Sequence, residues 1–258
     1  MRRAQPLLSR PRFLTFDCYG TLVDWDAGIL SALRSACPAA ETVSPDALLG
    51  EFHEIQNALK TDEYRLYRRL LAEVTLELAR RRGWDVTAER AAAVPAAIPG
   101  WSPFPDTNAA LARLHEAGIR LGILSNIDDD LLAGTLAHFE VPFERLVTAE
   151  RLGSYKPDAA HFEAGRRWVE GAAAGDGAGP VGGADTPAGG ADTPAGSRSP
   201  VWIHVAQSLF HDIEPATGLG LSTVWVNRKD EPRSPGAWPL HIARDLTGAV
   251  DWILRPDG

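Results

Sequence analysis

Several side chains able to do chemistry stand just beyond short apolar runs of the sequence. Asp17 follows FLTF, and Ser125 and Asn126 close RLGILSN. Lys156 lies within SYKPD, and Gln207, Ser208 and Asp212 belong to HVAQSLFHD. A carboxylate attacks carbon or phosphorus only if it stays ionised and is aimed, and an ammonium brought from a distant segment can do both. A hydroxyl and an amide nearby would cradle a negatively charged group. Asp17, Lys156 and Asp212 are therefore the candidate catalytic residues, with Ser125, Asn126, Gln207 and Ser208 beside them. A loop lysine alone is ordinarily just solvated, so Lys156 takes its meaning from the other segments.

These segments converge only if the chain builds the right scaffold. FLTF (13–16), RLGILS (120–125), RLVT (145–148), VWIHV (201–205) and STVWVN (222–227) are short, apolar and rich in β-branched or aromatic residues, as strands buried on both faces are. Helical patterns follow at 107–118, with a threonine start signal and a closing glycine, and at 158–171 and 211–220. Strands alternating with helices imply an α/β fold with a parallel, Rossmann-like sheet. In such sheets the site lies beyond the carboxyl ends of the strands, where the candidate residues stand.

Residues 27–100 interrupt the alternation with consecutive helical patterns, including a stripe of Tyr64, Tyr67, Leu71, Val74 and Leu78. They are expected to form a helical cap inserted after the first strand, over a core of residues 11–26 and 101–258. Residues 171–199 carry a tandem GGADTPA and too little apolar surface to offset ordering. They are expected to be a disordered insertion without chemical role, as is a short lead before the first strand.

Composition narrows the classes. The net charge of −8 and pI near 5.4 argue against nucleic-acid binding. No apolar run reaches the roughly 18–20 residues of a membrane span. The arginines at the amino end precede too short an apolar stretch for a secretory signal. Two cysteines, Cys18 and Cys37, cannot build a disulfide framework, so reduced thiols and a cytoplasmic location are expected.

DCYGT, LSN, SYKPD and HVAQSLFHD, in that order and each at a strand end, resemble the four motifs of the haloacid dehalogenase superfamily. The resemblance spans the chain apart from the low-complexity segment. It implies that Asp17 is a nucleophile forming a covalent intermediate and that Ser125 and Asn126 hold the substrate's anionic group. Lys156 would hold the pKa of Asp17 low, and Asp212 would anchor Lys156 or orient water. Phosphatases of the superfamily carry a second aspartate where this chain has Tyr19, whose phenol ordinarily titrates near pH 10. They also hold magnesium with an acidic pair, of which only Asp212 remains beside Gln207. Tyrosine at position 19 instead resembles the type II 2-haloacid dehalogenases, which use no metal or other cofactor. That branch implies hydrolysis of a carbon–halogen bond in a small 2-substituted carboxylic acid, with Tyr19 and Thr21 lining the cradle, and it admits a homodimer.

Departures keep the leaving group open. Where those dehalogenases carry a halide-binding arginine this chain aligns Ala58, the nearest arginine being Arg65, and Phe162 and Leu209 replace a tyrosine and an asparagine. DCYGTLVDW, LSNID, GSYKPD and H-x-A-x-S-L-x-H-D are also similar to a branch containing an azetidine-2-carboxylate hydrolase, which opens a strained C–N bond. His53, Glu54, Gln56, His204, Gln207 and His211 would then be candidates for handling the amine. A magnesium-dependent phosphatase and a non-catalytic binding protein are further alternatives.

Overall fold

The computed structural model describes residues 10–60, 63–173 and 202–255. Six parallel strands form one sheet in the order β3-β2-β1-β4-β5-β6. They are β1 (Phe13–Phe16), β2 (Arg120–Ser125), β3 (Arg145–Thr148), β4 (Trp202–Ala206), β5 (Ser222–Val226) and β6 (His241–Ala243). β1 is central, with Phe16 level with Ile123 of β2 and Val205 of β4. Its alternation divides the core between two faces. Leu14 and Phe16 pack with Leu111 and Leu114 of α5 (Thr107–Glu116) and Val250 of α10 (Leu246–Ile253). Phe13 packs on the other face with Leu124, Phe162 and Trp202, beneath α8 (Ala160–Ala173).

The connection from β1 to α5 carries the helical cap. It comprises α1 (Trp25–Ala36), a 3₁₀ turn at Pro38–Thr42, α2 (Pro45–Leu59), α3 (Tyr67–Arg82), α4 (Ala88–Ala96) and a second 3₁₀ turn at Ile98–Gly100. Ser44 caps α2 by accepting from the Ala47 N–H, and Pro45 fits its first turn, where no intrahelical donor is needed. Tyr67, Leu71, Val74 and Leu78 form the buried stripe of α3, while Tyr64 lies ahead of the helix. The cap's interior is continuous with the rim of the sheet. Leu33, Phe52 and Leu70 share one cluster with Cys18, Ile123, Ile127 and Leu132. Both cysteines are free and buried.

Several expectations need amendment. β4 and β5 each lie within a residue of the expected runs. The edge strand β6 is not among the expected strands, because HIA is only three residues long, one of them polar, and it forms through pairing with β5. α4 and α6 (Asp129–Leu136) are likewise additions. Thr107 is not the cap of α5 but its first residue, and its hydroxyl donates to the Leu22 carbonyl. α8 extends through Ala173, so residues 171–173 are helical and not part of a disordered insertion. The rest of that insertion and the lead before Arg10 lie outside the described residues. No helix among the described residues is long and apolar enough to cross a membrane.

Candidate active site

Asp17 ends the central strand. Its backbone N–H still donates to the Val205 carbonyl at 3.2 Å, which fixes the main chain as the side chain emerges at the sheet edge. Only 8% of the residue is exposed. Oδ1 accepts from Lys156 Nζ at 2.9 Å and Oδ2 from the Thr21 hydroxyl at 2.9 Å. Thr21 in turn accepts from the Gln207 N–H at 2.9 Å, tying the first motif to the fourth. The turn between Asp17 and Thr21 needs Gly20 at φ +93°, and a Cβ there would stand 3.3 Å from the Gln207 side-chain oxygen.

Lys156 lies between α7 (Ala149–Leu152) and α8 and is fully enclosed. Its three ammonium protons meet Asp17, the Leu124 carbonyl at 2.8 Å and Asp212 Oδ1 at 2.6 Å. His204 Nε2 lies 2.9 Å from the same Asp212 oxygen, and its Nδ1 lies 2.9 Å from Thr15 Oγ1, which accepts from Trp202 Nε1 at 2.8 Å. A Thr15 hydroxyl donating to Nδ1 and Nε2–H donating to Asp212 Oδ1 give the Trp202 indole, the Thr15 hydroxyl and both His204 ring nitrogens their partners. Asp212 Oδ2 is buried without a hydrogen-bond partner.

One ammonium between two carboxylates sets their protonation unequally. Burial disfavours the Asp212 charge, but Lys156 and the hydrogen bonds from it and His204 carry the carboxyl well below the usual range. Burial also opposes the Lys156 charge, and the two aspartates outweigh it, holding the ammonium above its ordinary value. For Asp17 burial wins. Burial together with the Asp212 charge raises its carboxyl above the ordinary value of 3.8, and Lys156 and Thr21 offset only part. Lys156 thus lowers the Asp17 pKa in the expected direction, but the net value stays above the ordinary one because the ammonium is shared with Asp212 and burial outweighs it.

Of the residues expected in the cradle, Asn126, Gln207 and Ser208 reach the cavity, whereas Thr21 is wholly buried beside Asp17 and does not line it. Tyr19 and Ser125 line the cavity. The Tyr19 hydroxyl donates to Thr135 at 2.8 Å, since the Thr135 proton goes to the Leu131 carbonyl. Burial pushes this phenol further above its ordinary value of 10. Asn126 spends its amide on the Lys156 backbone, Oδ1 accepting from the N–H at 2.6 Å and Nδ2 donating to the carbonyl at 3.0 Å. It therefore positions the lysine loop. Ser208 caps a π-helical turn (Leu209–Ile213) by accepting from the His211 N–H. Phe162 is in the core against His204 and does not line the cavity.

The cavity, of about 580 Å³, lies between the sheet edge and the cap. His53, Gln56, Asn57 and Lys60 line it from the cap, spaced as one polar face of α2 and its end. Gln56 donates to the Tyr67 hydroxyl at 2.7 Å. Glu54 lies on another face, bonded to Arg81. Arg65 is engaged by Glu73 and the Leu59 carbonyl and does not line the cavity. Lys60, absent from the residues singled out by motif, donates to His211 Nε2 at 3.2 Å. Its signal is its place two residues after Ala58, but only the helix register shows that it faces inward. Among the described residues no three His, Cys, Asp or Glu side chains are grouped to hold a metal ion. The donors near Asp17 do not fit magnesium, because Gln207 is neutral and Lys156 already occupies the space between the two carboxylates.

A family model of haloacid dehalogenase-like hydrolases matches residues 12–169. An (S)-2-haloacid dehalogenase of Pseudomonas putida is 24% identical over 245 residues, covering 93% of this chain and 97% of that protein. Among solved structures, an L-2-haloacid dehalogenase superposes with a TM-score of 0.75 at 18% identity, covering 96% of this chain and all of the other. The L-2-haloacid dehalogenase of Xanthobacter autotrophicus with chloropropionic acid covalently bound gives 0.71 at 18% identity, covering 94% and 98% of the two chains.

Proposed function

The chain belongs to the haloacid dehalogenase-like hydrolase family, and from that premise we propose that it displaces a leaving group, in the first instance a halide, from C2 of a small carboxylic acid through an aspartyl ester. An Asp17 oxygen bonds to C2 while the carbon–halogen bond breaks. Lys156 and Thr21 hold the carboxylate so that the attacking oxygen faces the cavity. Water then adds to Cγ of the ester, and cleavage of the acyl–oxygen bond releases a 2-hydroxy acid and restores Asp17. The unpartnered Asp212 Oδ2 is suited to accept a hydrogen bond from that water. Tyr19, its proton committed to Thr135, packs without acid catalysis, which halide departure does not require.

The observation that carries this reading is the Lys156 ammonium bridging Asp17 and Asp212 beneath the cavity between sheet edge and cap. It serves the charge on the nucleophile directly. A single turnover of 2-chloropropionate in ¹⁸O-water is expected to place the label in the peptide containing Asp17 and not in the first product. Label in product with none in Asp17 would overturn the ester. Activity on an aryl phosphate that rises with magnesium and exceeds haloacid turnover would favour the phosphatase instead.

A further inference from the structure

The cap side of the cavity holds a proton donor that departure of a halide does not need. Lys60 follows the last residue of α2, and among the described residues its ammonium donates to His211 Nε2 alone. An ammonium has three donors and no acceptor, so two of its N–H bonds have no partner among the described residues, and His211 Nε2 must be the bare ring nitrogen. The His211 proton is then on Nδ1, 3.2 Å from Ser208 Oγ, and the same oxygen accepts the His211 backbone N–H at 3.1 Å. The imidazole is fixed from both sides and aims the amine. Burial, reinforced by the Lys156 charge, lowers Lys60 from 10.5 to about 8. Burial likewise takes His211 to about 3, so at neutral pH the ring is uncharged and the ammonium is ready to give up a proton.

The surroundings decide what would accept that proton. Among the described residues the groups around Lys60 are His53 on its own helix, which also feels Asp26 and Lys229, His211 with Asp212 beside it on the π-helical turn, Lys156 below and the Tyr155 ring at 5.7 Å. Among the described residues no carboxylate pairs with Lys60. A protonated ring amine would meet like charge here, whereas an oxygen becoming an alkoxide would meet a donor of opposite charge. We propose that the site also opens oxirane-2-carboxylates, with Lys60 as the proton donor to the departing oxygen. This rests on Asp17 as ester-forming nucleophile.

In the first step an Asp17 oxygen bonds to C2, the C2–O bond of the ring breaks, and its electron pair stays on oxygen. That oxygen takes a proton from Lys60, leaving a C3 hydroxyl and a neutral amine. In the second step water bonds to the ester Cγ. One of its protons returns to Lys60 and the other goes to the C2 oxygen as the acyl–oxygen bond breaks. The sum is oxirane-2-carboxylate plus water giving 2,3-dihydroxypropanoate.

The test compares oxirane-2-carboxylate with 2-chloropropionate on the full chain, following product by NMR and ¹⁸O in Asp17 by mass spectrometry. Both compounds are expected to label Asp17. For the oxirane, kcat/KM should fall about tenfold per pH unit above about pH 8, with no such limb for the chloride. Lys60→Arg keeps the charge but does not release a proton near neutrality. It should lower oxirane turnover by about 100-fold or more, as expected for loss of a general acid, and chloropropionate turnover by much less. The proposal is overturned, with the ester reading intact, if the chloride labels Asp17 but the oxirane is not opened. It is likewise overturned if the arginine variant slows both equally, or if azetidine-2-carboxylate is opened faster than the oxirane. If neither compound labels Asp17, both readings fall.

Discussion

Asp17 is asked to remain charged in a place that resists charge, and this tension yields two expectations. Because its folded pKa is raised, Asp17 loses its charge at a higher pH than a free aspartate does. Turnover of 2-chloropropionate should fall as pH drops through that raised value, an acid limb that a pH–rate profile would read above pH 3.8. The stability sign runs the other way. A carboxyl with a raised folded pKa favours folding when protonated, so its ionisation at neutral pH costs stability. Asp17→Asn should lower turnover by about 10³-fold or more while leaving the melting temperature at pH 7 unchanged or higher, as calorimetry would show. Lys156 behaves oppositely. Lys156→Met strands two buried carboxylates and should cost about 3–5 kcal/mol in urea unfolding at pH 7.

At the scale of elements, the return from cap to core is clamped between two glycines. A Cβ on Gly134 of α6 would stand 2.5 Å from the Pro99 Cβ, and one on Gly28 of α1 would run into the Trp101 ring. The 3₁₀ turn and Trp101 therefore pass where neither helix can carry a side chain. Gly134→Ala should destabilise the protein by about 1–3 kcal/mol through overpacking, despite alanine's better helix propensity, which a thermal melt would register. The expected helices 107–118 and 158–171 are legible in the sequence because their period and end signals are local. α6 is not, since eight residues show too little period to stand out, although Asp128 at its N-cap and Asp129 and Asp130 in its first turn are start signals.

Across the whole molecule, Asp128 joins the two parts. Its carboxylate, wholly buried in the loop after β2, accepts from the backbone N–H groups of Tyr67 at 2.7 Å and Arg68 at 3.0 Å, and from Arg68 Nε at 2.9 Å. The first turn of α3 has no cap of its own, because Leu66 stands at its N-cap, so the core supplies one. Tyr155, next to the catalytic lysine candidate, donates to the Arg65 carbonyl at 2.7 Å from the same side. Asp128→Ala should cost about 1–3 kcal/mol and raise amide exchange in the first turn of α3 ahead of the rest of the cap.

The parallel sheet, the helical insertion after β1 and the segments that converge on Asp17 could all be read from the order of residues. Strand composition, helical period and the chemistry of strand ends are local properties, carried within a few residues of each position. Folding in three dimensions was needed to commit Asn126 to the lysine loop, to aim the Tyr19 hydroxyl at Thr135, to set Asp128 over a distant helix end and to turn Lys60 toward the cavity above Asp17. Those outcomes depend on which donors meet which acceptors between segments far apart in the chain, and on how burial ranks competing charges. Neither quantity exists until the chain has closed around the site.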